Sequence, residues 1–192
     1  MTYYQEISLL PKARIGLYDF WQKMYQQIHL ALAENKNAEG TSKIGVSFPE
    51  YNAGEFLLGT KLRLFAKDEQ LLTHMQCEKW LNRFSDYVHV SSIKPVPEKV
   101  AGHACFTNFK LKGNKEKLAR RRAKRKGETL QQAMAHFADY EEPRSKLPFI
   151  NMISQTNGQN FRLFIEKQAK EQPQTGYFSC YGLSNTTTVP LF

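Results

Sequence analysis

Seventeen consecutive residues of this chain cannot enter a hydrophobic core. Lys110 to Lys126 hold ten Lys or Arg and one acid, a balance of +9 that equals the net charge of the whole 192-residue chain. Burying unpaired ammonium and guanidinium groups costs several kcal/mol each, so this stretch belongs at the surface and the electrically neutral remainder must build the body. A focused polybasic run in mid-chain, rather than at a terminus, points to a polyanion held at one place, and nucleic acid is the polyanion that fits.

The run reads as a helix over about 114–126, which Asn114 can cap, Glu116 favours from its first turn and Gly127 can end. On that helix Lys117, Arg120, Arg121, Lys124 and Arg125 share one face of about 140°, wide enough to follow a groove. Leu118, Ala119 and Ala123 form no wide apolar stripe. Like charges four residues apart oppose the helix by about a few tenths of a kcal/mol per pair, so it is expected to fray until a phosphate backbone arrives. Arg121 and Arg125, with planar forks that can chelate guanine O6 and N7, are better placed to read bases than the lysines; the plainer alternative is that all ten contact phosphate.

The other residues organise as α+β. Ile7 to Leu10 ends a first strand at Pro11, and Leu17, Phe20, Trp21, Met24, Ile28, Ala31 and Leu32 recur at helical spacing between Gly16 and Asn35. Strands follow at Lys43 to Phe48 and Thr60 to Ala66, a helix from an Asp68 cap through Trp80, and a strand at Val88 to Ile93. This βαββαβ order predicts a ferredoxin-like, RRM-like domain over 1–94, a shape that commonly offers one sheet face to RNA. Pro95 to Pro97 reads as a stiff linker to a smaller α+β part over 95–192. That part has a strand at His103 to Leu111, the basic helix, a polar stretch through Ser145 and strand-like runs at Leu147 to Ile153, Asn160 to Glu166 and Tyr177 to Tyr181.

With 41% hydrophobic residues the chain can fill one compact domain or two small ones. Cys77, Cys105 and Cys180 are odd in number and unpaired in spacing, which suggests packing rather than disulfides or zinc. No apolar run is long enough to span a bilayer and the first ten residues are too polar for a signal peptide, so a soluble cytoplasmic protein is expected. There is no Gly-rich phosphate loop and no acidic cluster for magnesium, and an enzyme of this sequence would be expected to work without metal or cofactor. His29 falls at the solvent border of the first helix's apolar face, which by spacing alone makes it a boundary residue. The polar turn Ser154, Gln155, Thr156, Asn157, Gly158, Gln159 enters a strand at Asn160–Phe161–Arg162, and its hydroxyls and amides suit a ribose and phosphate as well as an ordinary hairpin.

Together these segments resemble the CRISPR repeat-processing endoribonucleases of the type I-F system, the Csy-type maturation nucleases. The resemblance runs nearly end to end, through His29, Ile44–Gly45–Val46–Ser47–Phe48–Pro49, the Arg-rich helix, Ser154–Gln155 with Gly158–Gln159, Phe161–Arg162–Leu163–Phe164–Ile165 and Cys180–Tyr181–Gly182–Leu183–Ser184. It implies an enzyme that grips the hairpin of a CRISPR repeat RNA and cuts at the 3′ base of the stem without metal, leaving a 5′-hydroxyl and a 2′,3′-cyclic phosphate. It implies that His29 is the general base, Ser154 holds the attacking ribose, Tyr181 orients the imidazole and Phe161 stacks on the terminal base pair. Arg121 and Arg125 would enter the major groove and read guanines. Aligned through Lys112 and Asn114, Asn108 and Lys110 stand where the family has an Arg and a Gln that read the foot of the stem, so a different stem sequence is expected. Thr156 replaces a common Ser and keeps its hydroxyl. The implied partners are the mature crRNA and the other subunits of a type I-F effector complex, its backbone protein among them, with target DNA met only indirectly and no membrane. The alternative is a non-catalytic hairpin-binding subunit of the same fold, and a weaker one a basic DNA-binding protein.

Overall fold

The alternation of β1 (Tyr3–Leu9) turns Gln5 and Ile7 inward, and across the antiparallel register they meet Leu64 and Leu62 of β3 (Lys61–Ala66), while β2 (Gly45–Ser47) pairs with the far side of β3. Between β1 and β2 runs α1 (Leu17–Glu34), whose Phe20, Trp21, Met24, Tyr25, Ile28, Ala31 and Leu32 are buried. Phe20, Met24, Ile28 and Leu32 each contribute about 1.5 to 3 kcal/mol by leaving water, and the Trp21 indole N–H donates to the Gly59 carbonyl at 2.9 Å, so its one polar atom is satisfied. β4 (Val88–Val90) completes the strand order β2-β3-β1-β4, every pair antiparallel, which is the ferredoxin-like arrangement expected from the sequence. The computed structural model describes residues 1–10, 16–54, 56–111, 113, 115–141 and 144–192. Pro11 and Asn114, expected to stop a strand and cap a helix, lie outside these.

Three local expectations change. The helix after Asp68 breaks into α2 (Glu69–Met75) and α3 (Cys77–Trp80) at Gln76, which takes a left-handed φ of 50°. Met75 and Cys77 are both 1% exposed, and an unbroken helix would point residues two apart to nearly opposite sides. Pro95 is no free linker, because β5 (Lys94–Pro95) pairs with Tyr3 and Tyr4 along the same edge of β1 as β4. The sheet face away from α1 is covered by the chain's own end. Phe178 packs over Gly45 so closely that a Cβ there would lie 2.4 Å from its ring, and the Phe192 ring meets Tyr4, Phe65 and the Arg63 guanidinium. Arg63 is paired in turn with Glu6 at 2.7 Å. That face is therefore not the one left open to RNA.

A second antiparallel sheet forms from β6 (Gly102–Phe109), β7 (Phe149–Ile153), β8 (Asn160–Lys170) and β9 (Val189–Leu191), in the order β7-β8-β6-β9. Counting from β6, this repeats the order of the first sheet, with the basic segment in the first crossover and an irregular stretch in place of the second helix. The strand expected at Tyr177–Tyr181 is instead one bridge, Phe178 to Ser42, followed by a turn. β9 was hidden by Pro190, which an edge strand tolerates because one ladder donor can be missing there.

The chain forms two compact units, Met1–Phe109 with Pro148–Phe192, and Lys110–Leu147. The 94/95 boundary read from the sequence falls within β5 of the first sheet, inside the first unit. In the second, α4 (Lys115–Lys126) ends at Gly127 with φ +67° and packs on α5 (Leu130–His136), with Ala119 and Ala133 fully buried. The sequence reading left α5 as polar coil, although Thr129 and Gln132 form a reciprocal capping box there. Among the described residues no helix is long and apolar enough to cross a membrane.

Candidate active site around His29

The outer edge of β2 would be an open ladder, and the chain's own 178–182 segment fills it. Ser42 and Phe178 exchange backbone hydrogen bonds of 2.8 and 2.9 Å, and Val46 N–H donates to the Gly182 carbonyl at 2.9 Å. Between them Gly182 N–H donates to Ser179 and Ser179 N–H to Leu183, both 2.8 Å, closing a tight turn. Gly182 stands at φ +69°, with the position of a Cβ 2.5 Å from Val46 Cγ1 and 3.2 Å from Leu32 Cδ1. Only glycine lets the turn lie this close to β2 and α1.

The turn presents Cys180 and Tyr181 to α1. The Tyr25 hydroxyl, its pKa pushed well up by burial and so still protonated, donates to the Tyr181 carbonyl at 2.8 Å. His29 Nδ1 is 3.0 Å from the Cys180 carbonyl, and the Tyr181 ring lies flat on the imidazole, centroids 4.1 Å apart and planes 7° apart. A carbonyl only accepts, so Nδ1 carries the proton, and the neutral ring then keeps a lone pair on Nε2. Burial lowers the His29 pKa and outweighs the Cys180 hydrogen bond, which raises it. The half-buried imidazole is thus neutral at neutral pH and held as a proton acceptor.

A third wall comes from the β7–β8 hairpin. Ile153 N–H donates to Gln26 Oε1 at 3.1 Å, one helical turn before His29, and Ser154 then opens the polar turn. Ser154 N–H to Gln159 O (2.9 Å) and Gly158 N–H to Ser154 O (2.8 Å) close it, and Gln159 N–H donates to Asn157 Oδ1 at 3.1 Å. Gln155, Thr156 and Asn157 form its exposed tip. Phe161, opposite Met152 in register, sets its ring edge-on to Tyr181, centroids 6.3 Å apart. His29, Tyr181 and Phe161 thus form one aromatic series. Sequence reasoning missed Tyr25, Gln26 and the Cys180 carbonyl, none of which carries a local signal.

The remaining candidates lie elsewhere. Lys117, Arg120, Arg121, Lys124 and Arg125 are exposed on α4 in the second unit, Arg120 ion-paired with Glu116. Arg122 differs from these: Glu128 holds it by two hydrogen bonds of 3.0 and 3.1 Å, half-buried, as a strut across the end of α4. Asn108 is half-buried at the end of β6 opposite Ile165, Lys110 is exposed beyond it, and Lys112 lies outside the described residues. Burial raises the thiol pKa of all three cysteines, which keeps them protonated. Among the described residues no three His, Cys, Asp or Glu side chains gather as a metal site.

Comparison with known proteins places these features in a lineage. The family described as CRISPR-associated protein (Cas_Csy4) matches residues 4–192. The chain is 35% identical over 193 residues to the CRISPR-associated endonuclease Cas6/Csy4 of Escherichia coli (strain UTI89 / UPEC), covering 100% of both chains. To the protein of the same name from Pseudomonas aeruginosa (strain UCBPP-PA14) it is 30% identical, again over 100% of both. Among solved structures it is similar to a RAMP protein binding different RNA substrates, at a TM-score of 0.41 and 11% identity over 100% of both chains. With the match spanning both sheets, the basic helix and the turn that seats His29, the chain belongs to the Csy4 family of CRISPR-associated proteins.

Proposed function

We propose that this protein is the endoribonuclease that matures CRISPR RNA: it binds the repeat hairpin and cuts at the 3′ base of the stem. The observation that carries this reading is His29, neutral, with Nδ1 committed to the Cys180 carbonyl and Nε2 left to accept a proton. The RNA's own 2′-hydroxyl gives its proton to Nε2 and its oxygen attacks the adjacent phosphorus. The P–O5′ bond breaks, leaving a 2′,3′-cyclic phosphate upstream and, once the departing oxygen is protonated, a 5′-hydroxyl downstream. This step asks for a base and an in-line geometry, and the base here needs no metal to activate it.

Ser154 positions the ribose, Tyr181 fixes the plane of the imidazole, and Phe161 stacks on the last base pair, worth about 1 to 3 kcal/mol. Gln155, Thr156 and Asn157 contact the backbone there. Arg121 and Arg125 read the stem, with Lys117, Arg120 and Lys124 on its phosphates and Asn108, Lys110 and Lys112 at its foot. The 95–192 part is the main RNA-binding half, and the product stays bound as the crRNA of a type I-F effector complex, beside its backbone protein.

The test is cleavage of a repeat-hairpin RNA in excess EDTA beside a matched RNA with one 2′-deoxy nucleotide just upstream of the cut. The first should be cut to cyclic-phosphate and 5′-hydroxyl ends and the second left whole. Tight binding of both without cutting would leave a hairpin-binding subunit, and loss of cutting in EDTA alone would end the metal-free mechanism.

A pH profile checks the state of the base. Protonation of His29 removes the acceptor, so the single-turnover rate should fall on the acid side. Because burial lowers its pKa, the midpoint should lie below the ordinary value of about 6.5 and the rate should be level through neutrality. Tyr181→Ala, which uncovers the ring, should move the midpoint up toward about 6.5. A wild-type midpoint at or above the ordinary value would contradict a buried, neutral base.

A further inference from the structure

Beyond the last turn of α1 two lysines and a histidine gather outside the site just described. Asn35, Lys36, Asn37, Lys43 and His74 line an open cleft of about 220 Å³ over Ile44 and Leu71, and among the described residues no carboxylate lines it. Lys36, Lys43 and His74 are exposed. Asn37 commits its side-chain oxygen to the Thr41 N–H (2.9 Å) and hydroxyl (3.1 Å), so what it has left to offer is a donor. Ammonium groups and amide donors without an acidic neighbour suit phosphate oxygens.

The position of the cleft along α1 says which phosphates. Gln26, which holds the start of the Ser154 turn, lies about one helical turn before His29, and Lys36 follows just beyond Glu34, where α1 ends. Lys36 is also close to the turn that seats His29: burial raises the Cys180 thiol, and the Lys36 ammonium opposes that rise. The order along the helix is the β7–β8 hairpin, then the base, then the cationic cleft. A strand whose stem rests at the hairpin and whose scissile phosphate lies at His29 has Lys36 and Lys43 ahead of it on the 3′ side.

We infer that the Lys36, Lys43 and His74 cleft binds the phosphates of the single-stranded RNA 3′ of the cut, an exit subsite for the leaving strand. This rests on the reading of the His29 site as the place of cutting.

The experiment measures affinity for two uncleavable RNAs carrying the 2′-deoxy substitution, one ending at the cut and one continuing as a 3′ single strand. Wild-type protein should bind the extended RNA more tightly. With two phosphates engaged at a single-strand salt slope of about 0.7 each, an approximately fourfold rise in salt should cost about sevenfold of that gain. The double variant Lys36→Ala, Lys43→Ala should bind both RNAs with the affinity wild type has for the shorter one. Equal wild-type affinity for the two RNAs, a gain that survives in the variant, or equal weakening of both RNAs would overturn the exit subsite. Failure of the shorter RNA to bind would instead sink the reading of the hairpin site. Both lysines are exposed, where substitutions change stability little, so the variant should fold.

Discussion

His29→Ala should slow cleavage of bound repeat RNA by about 10²- to 10⁴-fold, the range that a positioned general base contributes, while hairpin affinity changes little. The imidazole does not lie on the basic helix, and what it offers the RNA is one proton acceptor at Nε2, fixed because the Cys180 carbonyl takes the Nδ1 proton. Its removal also takes away the face on which Tyr181 rests, so the comparison should be made under single-turnover conditions with protein in saturating excess over RNA. Cleavage that persists at the wild-type rate would mean that another group takes the 2′-hydroxyl proton and that His29 is a boundary residue of α1 after all.

Gly182→Ala should be nearly as damaging although the residue carries no chemistry. A left-handed φ costs a residue with a side chain about 1 to 2 kcal/mol, and Gly182 is at +69°. Its new methyl would also overlap Val46 Cγ1 at 2.5 Å, and such overpacking costs about 1 to 3 kcal/mol more. The turn can relieve the overlap by moving off β2, which takes the Cys180 carbonyl and the Tyr181 ring away from the imidazole. A shift of about 1 Å in a catalytic constellation can cost about 10²-fold in rate. Gly40→Ala separates the two effects, because Gly40 has a φ of +77° but open space around it. It should lose stability by the conformational cost alone and cut RNA normally. A Gly182→Ala protein that cleaves as well as the Gly40→Ala protein would show that the turn does not seat the base.

The first half of the fold could be read from the chain because each element declares itself locally. Leu17 to Leu32 repeat at helical spacing, Leu62 and Leu64 alternate with Lys61 and Arg63, and the order of these segments allows few sheet arrangements. The second half resisted for a different reason. Tyr177 to Tyr181 has the composition of a strand but meets only the edge of β2, where one bridge and a turn suffice. Thr129 to His136 lacks an apolar stripe, and only the capping pair marks its start. The first half has one exception: Met75 and Cys77 both needed the core, which breaks a helix that periodicity draws as continuous.

The site divides along the same line. The order of residues alone shows that the whole net charge sits on one segment unfit for a core, that α1 has an apolar face with His29 at its border, and that the chain's segments resemble one family of RNA-processing nucleases. Charge and periodicity are properties of neighbouring residues, so they survive without a fold. The tautomer and neutral state of the His29 imidazole come from tertiary contacts alone. Its partner is a backbone carbonyl 151 residues away, carried there by edge pairing with β2 and by the close approach of Gly182 to Val46. Every residue has such a carbonyl, and nothing in the type of residue that bears it marks which one will face the imidazole.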